Sequence, residues 1–220
     1  TVPNVIETFD ELLSSKCCEL FGETYYHSLA FLISEQEFVE QIKLHKKALK
    51  RVFSVRPKIF RNTEAVYSNE IAKSVSKLGF KAAITEGAEK ILGWRSPNYL
   101  YKAKGAPLVL LLRNYRLSDD IAFRFSEHSW SEHPLTADKY AYWLANTPGE
   151  CINIFLDYET FGEHQWPETG IFEFMRHLPK EVMKHEHLRF SLASELIKKI
   201  KPRDELDVPE LISWADIDRD

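Results

Sequence analysis

The chain has 220 residues, 44% of them hydrophobic and 28% charged, which suffices for one domain with a sizeable core and is too short for two large ones. Lys and Arg total 29 against 33 Asp and Glu, a formal charge of −4, so the overall basic balance of a nucleic-acid or anionic-membrane binder is excluded. No apolar run approaches the roughly 18–20 residues needed to cross a bilayer. Cys17, Cys18 and Cys151 form no CxxC pair and are odd in number, which predicts reduced thiols and a cytoplasmic setting.

Short apolar runs alternate with longer amphipathic stretches, the pattern of an α/β protein with a mainly parallel sheet. In chain order, the first strand is expected over residues 19–21. A helix follows from Ser34, where SEQE is a capping-box signature and Phe38, Ile42, His45 and Leu49 share one side. Its basic run LHKKALKR reads as a solvated face. A strand over 57–63 leads to a helix over 66–78 that stops at Gly79. Strands are expected over 81–85 and 108–112; the second, in PLVLLLRN, is apolar on both alternations, as a strand covered on both faces should be. Helices over 118–125 and 136–146 precede a strand over 152–156. The helical pattern over 169–183 contains Pro179 and is predicted to break in two. A strand over 188–192 and a helix over 194–200, stopped by Pro202, complete the chain. No repeat or Gly/Ser linker divides it, which predicts a single domain over 1–220.

The informative regularity lies at the carboxyl end of each strand. Glu23 comes after CELFG, Glu64 after KIFRNT and Asp157 after INIFL, while Glu86 ends AAITE; Arg113 and Asn114 come after LVLLL. Parallel α/β folds deliver catalytic groups at the carboxyl ends of their strands. Four carboxylates at one rim would be costly without a function. Paired carboxylates suit glycosidic bond cleavage, in which one stays ionised and the other holds a proton for the leaving oxygen. A separation of roughly 5–5.5 Å gives retention and roughly 6.5–9.5 Å inversion. The alternative for Glu64 is an acid favoured by the dipole of a helix starting at Ala65; for Asp157 it is a loop carboxylate or helix cap.

The strings around these acids carry a resemblance. GETYYHS (22–28), FRNTEAVY (60–67) and FLDYETFGEH (155–164), with LRNYRLSDDIAFRFS (112–126) and ISWADIDRD (212–220), resemble the motifs of glycoside hydrolase family 57, most closely its α-amylase-type members. The resemblance implies a parallel (β/α)7 barrel and a retaining mechanism on α-glucans such as starch, glycogen or maltooligosaccharides. Matched position by position, Glu64 falls on the family's nucleophile and Asp157 on its general acid/base. The six strands above fit a seven-stranded barrel that lacks its first strand. The family's His-rich motif does not precede Thr1, and its C-terminal helical region does not precede the end at Asp220. The chain is therefore expected to be an internal piece of a longer enzyme, an incomplete barrel.

Beside the pair, Glu23, Glu86 and Glu159 are candidate sugar-hydroxyl ligands, and His27 and His164 are rim residues by motif. Trp94 and Trp166 are candidate stacking platforms for glucose rings, as is Trp130. His185 and His187 in KHEHL read as a solvated turn, and His128 and His133 lack a carboxylate at ligand spacing, so no metal and no cofactor are expected. No GxSxG, P-loop or Rossmann fingerprint is present. The expectation is a retaining α-glucan hydrolase. A 4-α-glucanotransferase or branching enzyme would use the same two acids. A reading of another class is a catalytically silent glucan-binding chain or a metal-dependent deacetylase-like barrel.

Overall fold

The computed structural model describes residues 3–216, so residues 217–220 of the ISWADIDRD string lie outside the described residues. The first elements in chain order are helix α1 (Pro3–Ser14), helix α2 (Glu35–Phe53), strand β1 (Ile59–Arg61), helix α3 (Asn69–Lys77), strand β2 (Ala82–Glu86) and helix α4 (Glu89–Leu92). Strands β3 (Tyr101–Ala103) and β4 (Val109–Arg113) come next, then helices α5 (Tyr115–Ala122), α6 (Ala137–Asn146), α7 (Ile171–Val182) and α8 (Ala193–Lys199), and strand β5 (Asp204–Leu206). They divide into two compact units. The first comprises residues up to Arg95, Tyr99–Leu112 and the chain from Ser191 onward; the second comprises Ser96–Asn98 and Arg113–Phe190.

The first unit carries a five-stranded sheet in the order β1-β2-β4-β3-β5. It is mostly parallel: β1 pairs β2 with Arg61 opposite Ile84, and β3 pairs β5, while β3 and β4 form an antiparallel hairpin. All five residues of β2 are buried. The aromatic spine of the unit runs through Phe31, Phe38, Phe60 and Phe80, with successive ring centroids 5.2, 5.9 and 5.2 Å apart. Half of the capping box forms: Ser34 Oγ accepts from the Glu37 N–H at 3.2 Å, while the Ser34 N–H donates to the Ala30 carbonyl and the Glu37 carboxylate accepts from Gln41; α2 packs Phe38 and Ile42 inward. Ser68, not a residue near Ala65, caps α3.

Several expected elements differ. The strand over 19–21 reduces to a single parallel bridge between Gly22 and Phe60, and the one over 57–63 contracts to β1. The strand over 188–192 is irregular; LRFSL alternates apolar and polar residues, but Phe190 stands 62% exposed and alternation alone gives a strand no neighbour. Strands β3 and β5 were not expected, because YKA and DEL are too short and polar for a periodic signal.

The second unit packs α6 against α7 around Phe125, Tyr140, Ile171, Phe174, Leu178 and Val182. Pro179 does not break α7, which runs unbroken to Val182. Proline removes one helix bond there, while the four buried side chains Ile171, Phe174, Leu178 and Val182 lie on one face and bind the turns on both sides of it to the core. The strand expected over 152–156 survives only as a parallel bridge of Asn153 to Arg113.

Gly22 is needed for close approach. A Cβ there would lie 2.4 Å from the Phe80 ring, which is itself buried beside Phe60. Gly22→Ala is expected to destabilise the full-length protein by about 1–3 kcal/mol through overpacking. In chemical denaturation, the double variant with Phe80→Leu should lose less than the sum of the two single changes.

Candidate active site

Glu64 lies in the turn that succeeds β1. Asn62 precedes it in extended conformation, and residues Thr63–Ala65 form a single 3-10 turn. Inside that turn Glu64 has φ 55° and ψ 23°, and Ala65 has φ 50°. Two successive non-glycine residues in the left-handed region are uncommon, and such backbone concentrates at functional sites. The helix-dipole alternative for Glu64 does not hold, since α3 starts at Asn69 behind its own cap.

Side chains from neighbouring segments fix the turn. Buried Thr24 and Thr63 share a hydrogen bond between their hydroxyls at 3.0 Å, Asn62 Nδ2 donates to the Val66 carbonyl at 3.1 Å, and Thr85 Oγ1 donates to the Ala65 carbonyl at 3.3 Å. From far along the chain, Trp214 Nε1 donates to Glu64 Oε2 at 2.6 Å. Trp214, Arg61, Thr24 and His45 are site residues that the strand-end argument missed. Only the family strings carried a signal for the first three, because each contributes by position rather than by a spacing rule.

Glu23 stands beside this turn. Gly22 hydrogen-bonds β1 on either side of Phe60, to the Ile59 carbonyl at 2.8 Å and from the Arg61 N–H at 2.9 Å, so Glu23 extends a segment parallel to β1. Its carboxylate is 3.5 Å from Arg61 Nη1 and 3.6 Å from His27 Nδ1. His27, exposed, also has a left-handed backbone at φ 50°. Glu86 ends β2 on the same side of the sheet and is 2% exposed, with Oε1 accepting from the Gly87 N–H at 2.8 Å. Three of the four expected strand-end acids thus share one end of the first unit's sheet. Trp94, after α4, is 93% exposed.

Asp157 belongs to the second unit. Its segment runs beside the end of β4, where Asn114 N–H donates to the Asn153 carbonyl at 2.9 Å and Arg113 Nε to the Phe155 carbonyl at 2.8 Å. Ser118 Oγ accepts from the Phe155 N–H at 3.1 Å. Arg113, 2% exposed, also bonds Asp119. Asp157 is half-buried and opens the short turn Tyr158–Thr160; Glu159, His164 and Trp166 come after it on the surface. Gln165 Nε2 ties this loop to the Ala122 carbonyl at 3.1 Å.

Among the described residues, no group of three or more His, Cys, Asp or Glu could hold a metal ion. His187 contacts the Ala145 carbonyl at 3.0 Å, and the His128 ring packs tilted against His133 with centroids 4.4 Å apart. Trp130 packs against Trp143. All three cysteines are free, and burial pushes the Cys151 thiol up to about 11, which leaves it inert at neutral pH. No helix among the described residues is long and apolar enough to cross a membrane.

One titration bears on the rim. His45 Nδ1 accepts the Glu23 N–H at 3.0 Å, which requires an unprotonated Nδ1. Burial lowers the His45 pKa below its ordinary value of 6.5, with the Glu23 carboxylate opposing. A group whose pKa falls on folding binds more protons unfolded, so its contribution is complete above about pH 6.5 and is lost as pH falls below it. The thermal-stability advantage of the wild type over His45→Asn should therefore be largest near pH 8 and shrink towards pH 5. An advantage that is constant across that range would count against the bond.

Residues 2–209 match the sequence profile of Glycosyl hydrolase family 57. A Methanocaldococcus jannaschii protein described as "Putative alpha-amylase" is 58% identical over 219 residues, 98% of this chain and 47% of that protein, so the chain spans about half the length of this relative. The fold is similar to that of a 4-alpha-glucanotransferase from Thermococcus litoralis (TM-score 0.79, 19% identity, 97% of this chain and 33% of that one). It is also similar to a GH57 branching enzyme from Thermococcus kodakaraensis (TM-score 0.72, 14% identity, 96% of this chain and 52% of that one). With four of its five motif strings inside a match that covers nearly all of its length, the chain belongs to glycosyl hydrolase family 57.

Proposed function

We propose that this chain supplies the catalytic acids of a retaining α-glucan hydrolase of α-amylase type, cleaving α-1,4-glucosidic bonds in two displacements. On this reading the α/β sheet is part of a (β/α)7 barrel, and the 220 residues belong to one catalytic domain. The observation that carries the reading is Glu64, presented beyond the carboxyl end of β1 on a strained backbone in a family 57 chain. The "Putative alpha-amylase" designation of the 58% identical relative supports the substrate class.

In the first displacement, a Glu64 carboxylate oxygen bonds to the anomeric carbon while the glycosidic C–O bond breaks. Asp157 gives its proton to the departing oxygen. In the second, Asp157 takes a proton from water, whose oxygen attacks the anomeric carbon and releases Glu64 from the glycosyl ester. Glu23, Glu86, Glu159, His27 and His164 are assigned to sugar hydroxyls, with exposed Trp94 and Trp166 as stacking surfaces. Glu23, already neighbouring Arg61 and His27, would accept a hydroxyl proton as a fixed acceptor.

Glu64→Gln and Asp157→Asn in the full-length enzyme are each expected to lower turnover on maltooligosaccharides by about 10³-fold or more, with the thermal midpoint little changed. Near-wild-type hydrolysis by either variant removes the assignment. The product profile decides the acceptor: new reducing ends without longer chains mean water, while lengthened chains would mean transfer to a sugar.

A further inference from the structure

The segment that reaches Glu64 from the end of the chain is itself a constructed feature. Ile212 pairs with Tyr67 in an antiparallel bridge, its N–H donating to the Tyr67 carbonyl at 3.0 Å and its carbonyl accepting from Tyr67 at 2.9 Å. Two residues on, the Trp214 N–H donates to the Glu64 carbonyl at 3.3 Å while its indole N–H donates to Glu64 Oε2 at 2.6 Å. The residues flanking Trp214 are fixed in turn. Asp216 Oδ2 accepts from the Ser213 N–H at 2.9 Å, Ser213 Oγ accepts from the Ala215 N–H at 3.0 Å, and Asp216 Oδ1 meets Lys90 Nζ of α4 at 2.9 Å. Each residue of the SWAD string thus closes the turn, meets Glu64, or anchors the turn to α4.

We infer that Trp214 is a positioning residue for the Glu64 nucleophile: its indole N–H fixes one carboxylate oxygen so that the other, Oε1, is presented for attack. The inference rests on the reading of Glu64 proposed above. Among the described residues Oε1 takes no hydrogen bond, so the two oxygens are already unequal. A carboxylate on a free side chain rotates about its terminal torsion, which is broad and two-fold. An indole held by its own backbone at the Glu64 peptide removes that freedom at both ends. Indole is a donor only, so unlike a hydroxyl or histidine it cannot take the proton or compete as a base.

Trp214→Phe removes the N–H and keeps most of the ring. In the full-length enzyme it should lower kcat/KM on a maltooligosaccharide by roughly 10–100-fold, the scale of a lost hydrogen bond to a charged group, while KM moves by less than about two-fold. The kcat/KM defect should persist on a maltosyl fluoride, whose leaving group needs no proton, whereas the kcat/KM defect of Asp157→Asn should largely vanish there, its kcat staying low because water attack still needs the base. Independently of turnover, the indole N–H resonance lost in Trp214→Phe should lie downfield in the wild type and shift in Glu64→Gln. Wild-type rates in Trp214→Phe beside a slow Glu64→Gln would overturn the inference alone, as would a resonance that ignores Glu64→Gln. A full-rate Glu64→Gln would bring down the reading of the nucleophile, and this inference with it.

Discussion

A left-handed backbone at Glu64 is the constraint on which the rest of the first unit's rim depends. A residue with a side chain at φ 55° costs of order 1–3 kcal/mol, and Ala65 at φ 50° adds a second term of the same size. One side-chain bond local to the turn, from Asn62 Nδ2 to the Val66 carbonyl, offsets only part of this. The compensation comes from Thr24, Thr85 and residues 212–214, which belong to three segments remote from it in sequence. At about 0.5–1.5 kcal/mol net for each bond, the hydroxyl pair, the Thr85 bond, the two Ile212–Tyr67 bonds and the two from Trp214 are together of the same order as the strain. The turn is therefore a property of the folded unit, and its geometry is over-determined by parts that need each other.

The same end of the sheet concentrates negative charge, and the structure handles each acid differently. Glu23 is half-buried and lies against the Arg61 guanidinium and His27, so its charge is partly balanced and its backbone is tied to His45. Glu86 is withdrawn into the unit and folded onto the Gly87 N–H. Glu64 has a neutral donor in Trp214 rather than a cation. That difference suits the nucleophilic role proposed for Glu64. A guanidinium against the carboxylate would hold its electron pair in a strong ion pair, whereas an indole orients it while leaving more of the charge for the reacting carbon.

Much of this was legible in the sequence, for reasons that can be named. The Ser34 cap and the apolar spacing of Phe38 and Ile42 are local signals, and they gave α2 its start and its inward face. The strand-end rule found Glu23, Glu64 and Glu86 because β1 and β2 are parallel and in register, with Arg61 opposite Ile84. The rule failed where ladders are short. Residues 19–21 and 152–156 look like strands because of their apolar residues, yet pairing is a single bridge in each case, at the adjoining Gly22 and at Asn153, and the apolar side chains are half-buried without a full set of backbone partners. Strands β3 and β5 escaped for the opposite reason, being paired segments without an apolar run. Trp214 was visible only as a letter in a family string, because the 150 residues between it and Glu64 are closed by tertiary contact alone.

In the second unit the support of Asp157 rests on a different principle. Its segment has too little ladder to be a strand, so beyond the Asn114–Asn153 backbone bond the end of β4 holds it through one side chain. Arg113 is 2% exposed and could not be left unpaired there; it meets Asp119 from α5 and donates to the Phe155 carbonyl, two residues before Asp157. A buried guanidinium with a carboxylate partner and a backbone acceptor is a stiff anchor, because removing either partner leaves charge or donors stranded. Ser118 adds a second tie at the same residue, accepting from the Phe155 N–H while donating to the Asn114 carbonyl at 2.7 Å. Glu64 is thus fixed through the strained peptide to which it is attached, and Asp157 through the residue that precedes it by two. For the chemistry proposed, that division is apt. A nucleophile must meet one carbon from one direction, so rigidity belongs at its own atoms, whereas a group that gives and then recovers a proton serves a leaving oxygen and a water in turn, and needs a backbone that does not move between the two steps.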